Sequence, residues 1–403
     1  MASVSSTAPS ARIPLSGIRT LMELALRDPD AIHLEIGEPD ARPAPHVVAA
    51  AAEAATRGRT GYTSSLGLDE LRAVAADRAV RRNGLVAGPA EVVVTHGAMH
   101  GLAMAMATLL GPGDEILVPD PMFPNWAMAA AAAGAHVVTY PTRASEGFVP
   151  QVDELEAAIT PRTRAVIVCS PNNPTGAVYP ATVLEGIVDV ARRHDLWVLS
   201  DECYEAITFG VPHVSTATFD TDGRVLTFFS LSKAHAMTGW RIGYAVVPDA
   251  AVVDRMGHLA EATVACPSTP SQYAAIAALT GPQDHVHDAV ESYWDRRDQA
   301  VDLLRGRGLR LVEPDGAFYL MVDVGAPDTT AFAMDLLARR HVAVAPGATF
   351  GERASGMVRV SLAAPREPLL EGLGRLADEV VASSSGDVTR PDGDRRRAVV
   401  QAR

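Results

Sequence analysis

The sequence predicts an α/β protein: a large, doubly wound, mostly parallel seven-stranded sheet beside a smaller α+β unit. Three observations carry this. Seven short apolar runs between residues 91 and 247 are nearly continuous rather than alternating, as strands buried on both faces are. Helix-period segments separate several of them, which makes right-handed strand–helix–strand crossovers plausible. After about Pro282 the texture changes to a long amphipathic helix followed by short mixed elements.

Residues 1–11 are small and polar and read as a flexible arm. Ile18, Leu21, Met22 and Ala25 then recur at helical spacing. Residues 12–45 are assigned to the N-terminal part of the smaller unit, and residues 46–282 to the large one. The expected strands are EVVVT (91–95), EILVP (115–119), HVVTY (136–140), AVIVCS (165–170), LWVLSD (196–201), RVLTFFS (224–230) and IGYAVV (242–247). AMHGLAMAMATLL (98–110) and ATVLEGIVDVARRH (181–194) read as crossover helices. Residues 283–382 form the C-terminal part of the smaller unit, opening on the helix within AVESYWDRRDQAVDLLRGRG. The tail 383–403 reads as disordered, with charge, Ser, Gly and Pro but little to bury.

Composition narrows the function. A net charge of −13 argues against a nucleic-acid binder, which normally shows a basic patch. Cys169, Cys203 and Cys266 lie far apart without metal-ligand spacing, so no metal is expected, and the low odd count suits a reducing cytoplasm. MASVSSTAPSAR has no apolar segment, and no stretch is long enough to cross a bilayer.

In open parallel sheets, ligands bind beyond the strand C-termini. Four such ends carry unusual chemistry: HGAM (96–99), PNNPTG (171–176), Asp201 with Tyr204, and Ser230-Leu231-Ser232-Lys233. Each has an ordinary explanation alone. HGAM suits a strand-to-helix turn, PNNPTG a plain turn, Asp201 a helix cap, and Lys233 a surface loop. Arg359 in MVRVSLA fits a strand's solvent face. Together they point to one site.

The combination resembles the class I/II aminotransferases, the aspartate aminotransferase-like family of fold-type I pyridoxal-phosphate enzymes. SLSKAHAMTGWRIGY, SPNNPTG and SDECY are similar to three of its signatures, in its order. LEIGEPD, GYTSSLGLDELR, VTHGAMHG, DPMFPNW, PDGAFY, PGATFG and VRVSLA extend the match over roughly residues 12–380. The resemblance implies pyridoxal 5′-phosphate as cofactor, held as a Schiff base by Lys233, which also moves the substrate's α-proton. Asp201 would pair with the ring nitrogen, and Tyr204 and Asn173 with the ring oxygen. Phe123 would stack on the ring. The phosphate would take the Ala98 and Met99 N–H groups, Ser230, Ser232 and Arg241. Tyr62 would reach the phosphate of a neighbouring subunit, giving a homodimer with shared sites. Arg359 would grip the substrate α-carboxylate, with Asn173 beside it, and Gly37 would sit where the smaller unit closes over substrate.

The implied reaction is ping-pong transfer of an amino group from an L-amino acid to a 2-oxo acid. The alternative is a lyase, oxidase or cyclase of specialised metabolism on the same scaffold. A transcription regulator with this domain would need a DNA-binding module, and the few residues before LEIGEPD are too short and insufficiently basic for one. Met122, Trp126 and His235 depart from the family pattern, and all three are expected near the substrate side chain. Residues 262–272, expected to serve the partner's pocket, hold no arginine, which lowers the expectation of an acidic substrate side chain. His96 and His100 are expected to be structural.

Overall fold

The computed structural model describes residues 11, 13–14 and 16–384. The arm and tail expected at the two ends lie almost wholly outside the described residues. The strands, in chain order, are β1 (Ile32–His33), β2 (Val92–Thr95), β3 (Glu115–Asp120), β4 (His136–Pro141), β5 (Thr163–Cys169), β6 (Trp197–Asp201), β7 (Val225–Ser230), β8 (Gly243–Val246), β9 (Arg310–Val312), β10 (Tyr319–Asp323), β11 (Val342–Ala343), β12 (Ala345–Pro346) and β13 (Met357–Ser361). The helices are α1 (Gly17–Ala25), α2 (Pro45–Thr56), α3 (Asp69–Asn83), α4 (Ala98–Leu109), α5 (Pro124–Ala132), α6 (Val152–Ala157), α7 (Ala181–Arg193), α8 (Ala250–Val264), α9 (Thr269–Thr280), α10 (Asp284–Gly306), α11 (Thr329–Arg340) and α12 (Arg366–Ser384).

All seven expected strands form and make one sheet, ordered β2-β8-β7-β6-β5-β3-β4. Only β8 runs against its neighbours, opposing both β2 and β7. The apolar runs exist because both faces are covered. Ala165, Val166, Ile167 and Val168 of β5 are fully buried. Burying such a branched side chain contributes about 1.5–3 kcal/mol. Helices α4, α5 and α8 pack on one face, while α2, α3, α7 and α9 help bury the other.

A second, antiparallel sheet is ordered β12-β13-β10-β9. The short β1 pairs in parallel with β11, so the chain near residue 32 joins the C-terminal elements. In α1, Ile18, Leu21 and Ala25 are buried, as their spacing predicts, whereas Met22 turns toward the cavity described below.

Candidate active site

The C-terminal ends of β2, β5, β6 and β7 open onto a cavity of about 910 Å³. It lies between the large sheet and the segment around Gly37. Gly37, Ala98, Met99, Phe123, Asn173, Asp201, Tyr204, Ser230, Ser232, Lys233, Arg241 and Arg359 all line it. Tyr62 does not; it is 90% exposed on the outside of the chain.

Two segments from the antiparallel pair β7–β8 shape the floor. Beyond Ser230 the chain turns, and the Ser230 hydroxyl accepts from the Ser232 N–H at 3.1 Å. Lys233 Nζ then donates to the Gly37 carbonyl at 2.6 Å. At the other end of the same connection, Arg241 has φ +51°, a left-handed conformation that is uncommon away from glycine. Its guanidinium is pinned by the carbonyls of Thr238 (2.7 Å) and His96 (3.1 Å).

That guanidinium lies against the start of α4. Gly97 precedes the helix with φ +82°, and no side chain caps it. A Cβ on Gly97 would stand 2.9 Å from an Arg241 nitrogen. Gly97 thus leaves a cradle between the guanidinium and the first N–H groups of α4. A helix start of this kind favours an anion.

Asp201 closes β6 and is 5% exposed. Its carboxylate accepts from Trp126 Nε1 at 3.2 Å and from the Cys203 N–H at 3.3 Å. Burial pushes its pKa up, and no lysine or arginine bridges to it among the described residues. A cationic ring nitrogen would relieve that burial penalty. Trp126 is fully buried and belongs to this carboxylate, not to the substrate side chain as the sequence suggested.

Another side of the cavity is built on β10 and β13. Arg359 is 2% exposed. It donates to Asn173 Oδ1 at 2.8 Å and to the Glu35 carbonyl at 2.6 Å, and its Nε has no partner. Its guanidinium is held between the rings of Tyr319 (4.1 Å) and Phe350 (4.9 Å). It forms no salt bridge among the described residues; burial lowers its pKa, against the pull of the Tyr319 and Tyr204 hydroxyls and the buried Glu35 carboxylate. A buried guanidinium without a counter-ion suits an incoming carboxylate.

Tyr204 shares a hydrogen bond of 2.9 Å with Tyr319, and burial pushes its phenol well up. Phe123 meets Trp126 edge-on, ring centroids 6.0 Å apart. Sequence reasoning missed Tyr319. It sits in PDGAFY, a matched motif, but nothing local marks its hydroxyl for the site.

Three histidines resolve differently. His100 Nδ1 accepts from the His96 N–H at 3.2 Å, and burial brings His100 to about 4. These two are bonded turn residues, as expected. His235 is 2% exposed and bonded to His285 at 3.1 Å, and burial brings it to about 3. It packs behind the Lys233 turn beside Arg78 and Glu205, away from the substrate side where the sequence placed it.

The residues fit pyridoxal phosphate as a set: an anion cradle at Gly97, a buried carboxylate at Asp201, an amine at Lys233 and an unpaired guanidinium at Arg359. Comparison with known proteins identifies the family. Residues 29–376 match the family model for aminotransferase class I and II. The chain is 39% identical over 374 residues to an aspartate/prephenate aminotransferase of Thermus thermophilus, covering 92% of this chain and 95% of that one. It is 40% identical over 349 residues to an arginine–pyruvate transaminase of Pseudomonas aeruginosa, covering 85% and 88%. The fold is similar to that of the Thermus thermophilus aspartate aminotransferase solved with maleate, at TM-score 0.89 and 38% identity over 94% of this chain and all of that one. An alanine aminotransferase from Pyrococcus furiosus also superposes with TM-score 0.89, at 33% identity over 94% and 100% of the two chains. A cavity built from four strand ends, a match over most of the chain and whole-length relatives lead to one assignment: the chain belongs to the class I and II aminotransferases.

Proposed function

We propose that this aminotransferase binds pyridoxal 5′-phosphate in the cavity and moves an amino group between an L-amino acid and a 2-oxo acid there. The single observation that carries the reading is Arg359, a buried guanidinium without a counter-ion, in the cavity that also holds the Lys233 amine. Pyridoxal phosphate, when bound, supplies an aldehyde that takes the amino group and a conjugated ring that draws electrons from the substrate's α-carbon.

The chain's own residues divide the work. Gly97, Ala98, Met99, Ser230, Ser232 and Arg241 anchor the phosphate. Asp201, oriented by Trp126, holds the ring nitrogen protonated. Tyr204 and Asn173 donate to the ring oxygen, and Phe123 covers one face. Arg359 takes the α-carboxylate in a two-pronged grip, which fixes the α-carbon near Lys233. The Lys233 amine would hold the cofactor's aldehyde end and would be the group that moves the proton at the α-carbon. Gly37 lets the backbone that accepts from Lys233 pack directly on Tyr319.

Residues 46–282 and the two segments 12–45 and 283–382 act as a large and a small domain that close on substrate. A homodimer gives the exposed Tyr62 its use, at the phosphate of the neighbouring subunit. A role in amino-acid biosynthesis in the cytoplasm suits the three free thiols. The relatives' names span aspartate, prephenate, aromatic, alanine and arginine substrates, so the donor is an L-amino acid set by the cavity wall.

The test is reconstitution of the apoprotein with pyridoxal phosphate, followed by a panel of amino acids without acceptor. Transamination predicts stoichiometric release of a 2-oxo acid with the cofactor left in its amine form. Lys233→Ala should abolish this. Ammonia release with the cofactor returned to its starting form would refute it.

A further inference from the structure

Tyr319 touches three parts of the site. Its hydroxyl lies 2.9 Å from that of Tyr204. Its ring lies beneath the Arg359 guanidinium at 4.1 Å. A Cβ on Gly37 would come within 1.8 Å of its hydroxyl, so the backbone that accepts from Lys233 packs against it. The register explains the placement. Met321 pairs with Arg359 across β10 and β13, so Tyr319, two residues before Met321, shares Arg359's face of the sheet.

A phenol hydroxyl has one proton to give. Among the described residues, Tyr319 is the only hydrogen-bond partner of the Tyr204 hydroxyl. Were Tyr204 to donate to Tyr319, it would have nothing left for a ligand oxygen in the cavity. Both contacts are satisfied only when Tyr319 donates. We infer that Tyr319 is a positioning residue: its hydroxyl donates to Tyr204 and so commits the Tyr204 proton to the ring oxygen of the bound cofactor. The inference rests on the pyridoxal-phosphate reading above. A donor behind a donor also strengthens it, because hydrogen bonds in a chain polarise one another. The Arg359 guanidinium over the ring keeps the hydroxyl aimed at Tyr204, linking the carboxylate grip to the cofactor oxygen.

The experiment compares wild type, Tyr319→Phe, Tyr204→Phe and the double variant. Phenylalanine at 319 keeps the ring under Arg359 and removes only the hydroxyl. The readouts are the apoprotein's affinity for pyridoxal phosphate, by equilibrium dialysis, and the pH midpoint of the bound cofactor's absorbance. A weaker Tyr204 donor stabilises the ionised ring oxygen less, so Tyr319→Phe should raise that midpoint by roughly half to one pH unit. Affinity should fall about 3- to 10-fold. With Tyr204→Phe already present, Tyr319→Phe should change neither. If Tyr319→Phe does not fold, Tyr319→Met is measured in its place, with and without Tyr204→Phe: a midpoint raised only where Tyr204 is present supports the inference, and one unchanged or raised equally in both overturns it. An unchanged midpoint in Tyr319→Phe, or an equal shift with and without Tyr204, also overturns it. If the wild-type apoprotein takes up no pyridoxal phosphate, the cofactor reading itself falls, and this inference with it.

Discussion

Gly97→Ala is the sharpest perturbation of the anion cradle. Gly97 has φ +82° and ψ 164°, a region that essentially only glycine occupies. A side chain there costs on the order of 1–3 kcal/mol through backbone strain. The new Cβ would also stand 2.9 Å from an Arg241 nitrogen, the mobile end of a long side chain, so the guanidinium gives way. Moving it strains its bonds to the His96 and Thr238 carbonyls, which at this exposed guanidinium contribute about 0.5–1 kcal/mol each. Losing one of these and the strain together predicts a loss of about 1.5–4 kcal/mol in apoprotein stability. Displacing the guanidinium from the phosphate should weaken pyridoxal-phosphate binding at least about 10-fold. Urea unfolding of the apoprotein reads the first effect and equilibrium dialysis the second. Gly147→Ala is the control: φ is +64° there, and an added Cβ meets nothing within 4 Å. It carries the backbone penalty of about 1 kcal/mol without touching the site. If Gly97→Ala binds the cofactor within about twofold of wild type, Arg241 is not a phosphate partner and the cradle argument fails.

Other consequences follow from the charges. Burial raises Asp201, so its ionised form destabilises the apoprotein increasingly as pH rises above 3.8 through its folded-state value. Asp201→Asn should therefore unfold at higher urea than wild-type apoprotein at pH 7, by of order 1 kcal/mol, while losing transamination. Burial lowers His235 to about 3, so wild type loses stability as pH falls from 6.5 toward 3, where the unfolded chain binds the proton more readily. His235→Phe should resist acid unfolding better and leave the pH–rate profile between pH 6 and 9 unchanged; a profile that moves would show that His235 titrates in the working range. Arg359→Lys cannot meet Asn173, the Glu35 carbonyl and a carboxylate at once, and KM for the amino acid should rise roughly 100-fold, read in steady-state kinetics.

Much of the large sheet was legible because burial on both faces forces unbroken apolar runs. Strand β5 is an example, found at Thr163–Cys169 against an expected 165–170. The site's polar residues were legible because they interrupt such runs at strand ends. What escaped depended on distance in the chain. Trp126 lies 75 residues from Asp201, and nothing in DPMFPNW says that its indole faces that carboxylate. Tyr319 and Tyr204 are 115 residues apart and meet because the segment before β10 bonds to the one beyond β6, through Phe209 N–H to the Asp315 carbonyl and Ala317 N–H to the Ile207 carbonyl. His235 read as an oddity beside the lysine; its reason is His285, 50 residues later on α10. Periodicity reports which face a residue takes, not which side chain it meets there.

The reversed strand β8 sets a tolerance on chain length. It returns antiparallel beside β7, and a Cβ on its first residue, Gly243, would stand 2.5 Å from the Phe229 carbonyl and 3.1 Å from Gly97 Cα. The connection from Leu231 to Ile242 is therefore fixed at both ends, and it carries Lys233 near one and Arg241 near the other. It works as a ruler. One added residue would shift the amine relative to the guanidinium, and both would have to reach a single small molecule.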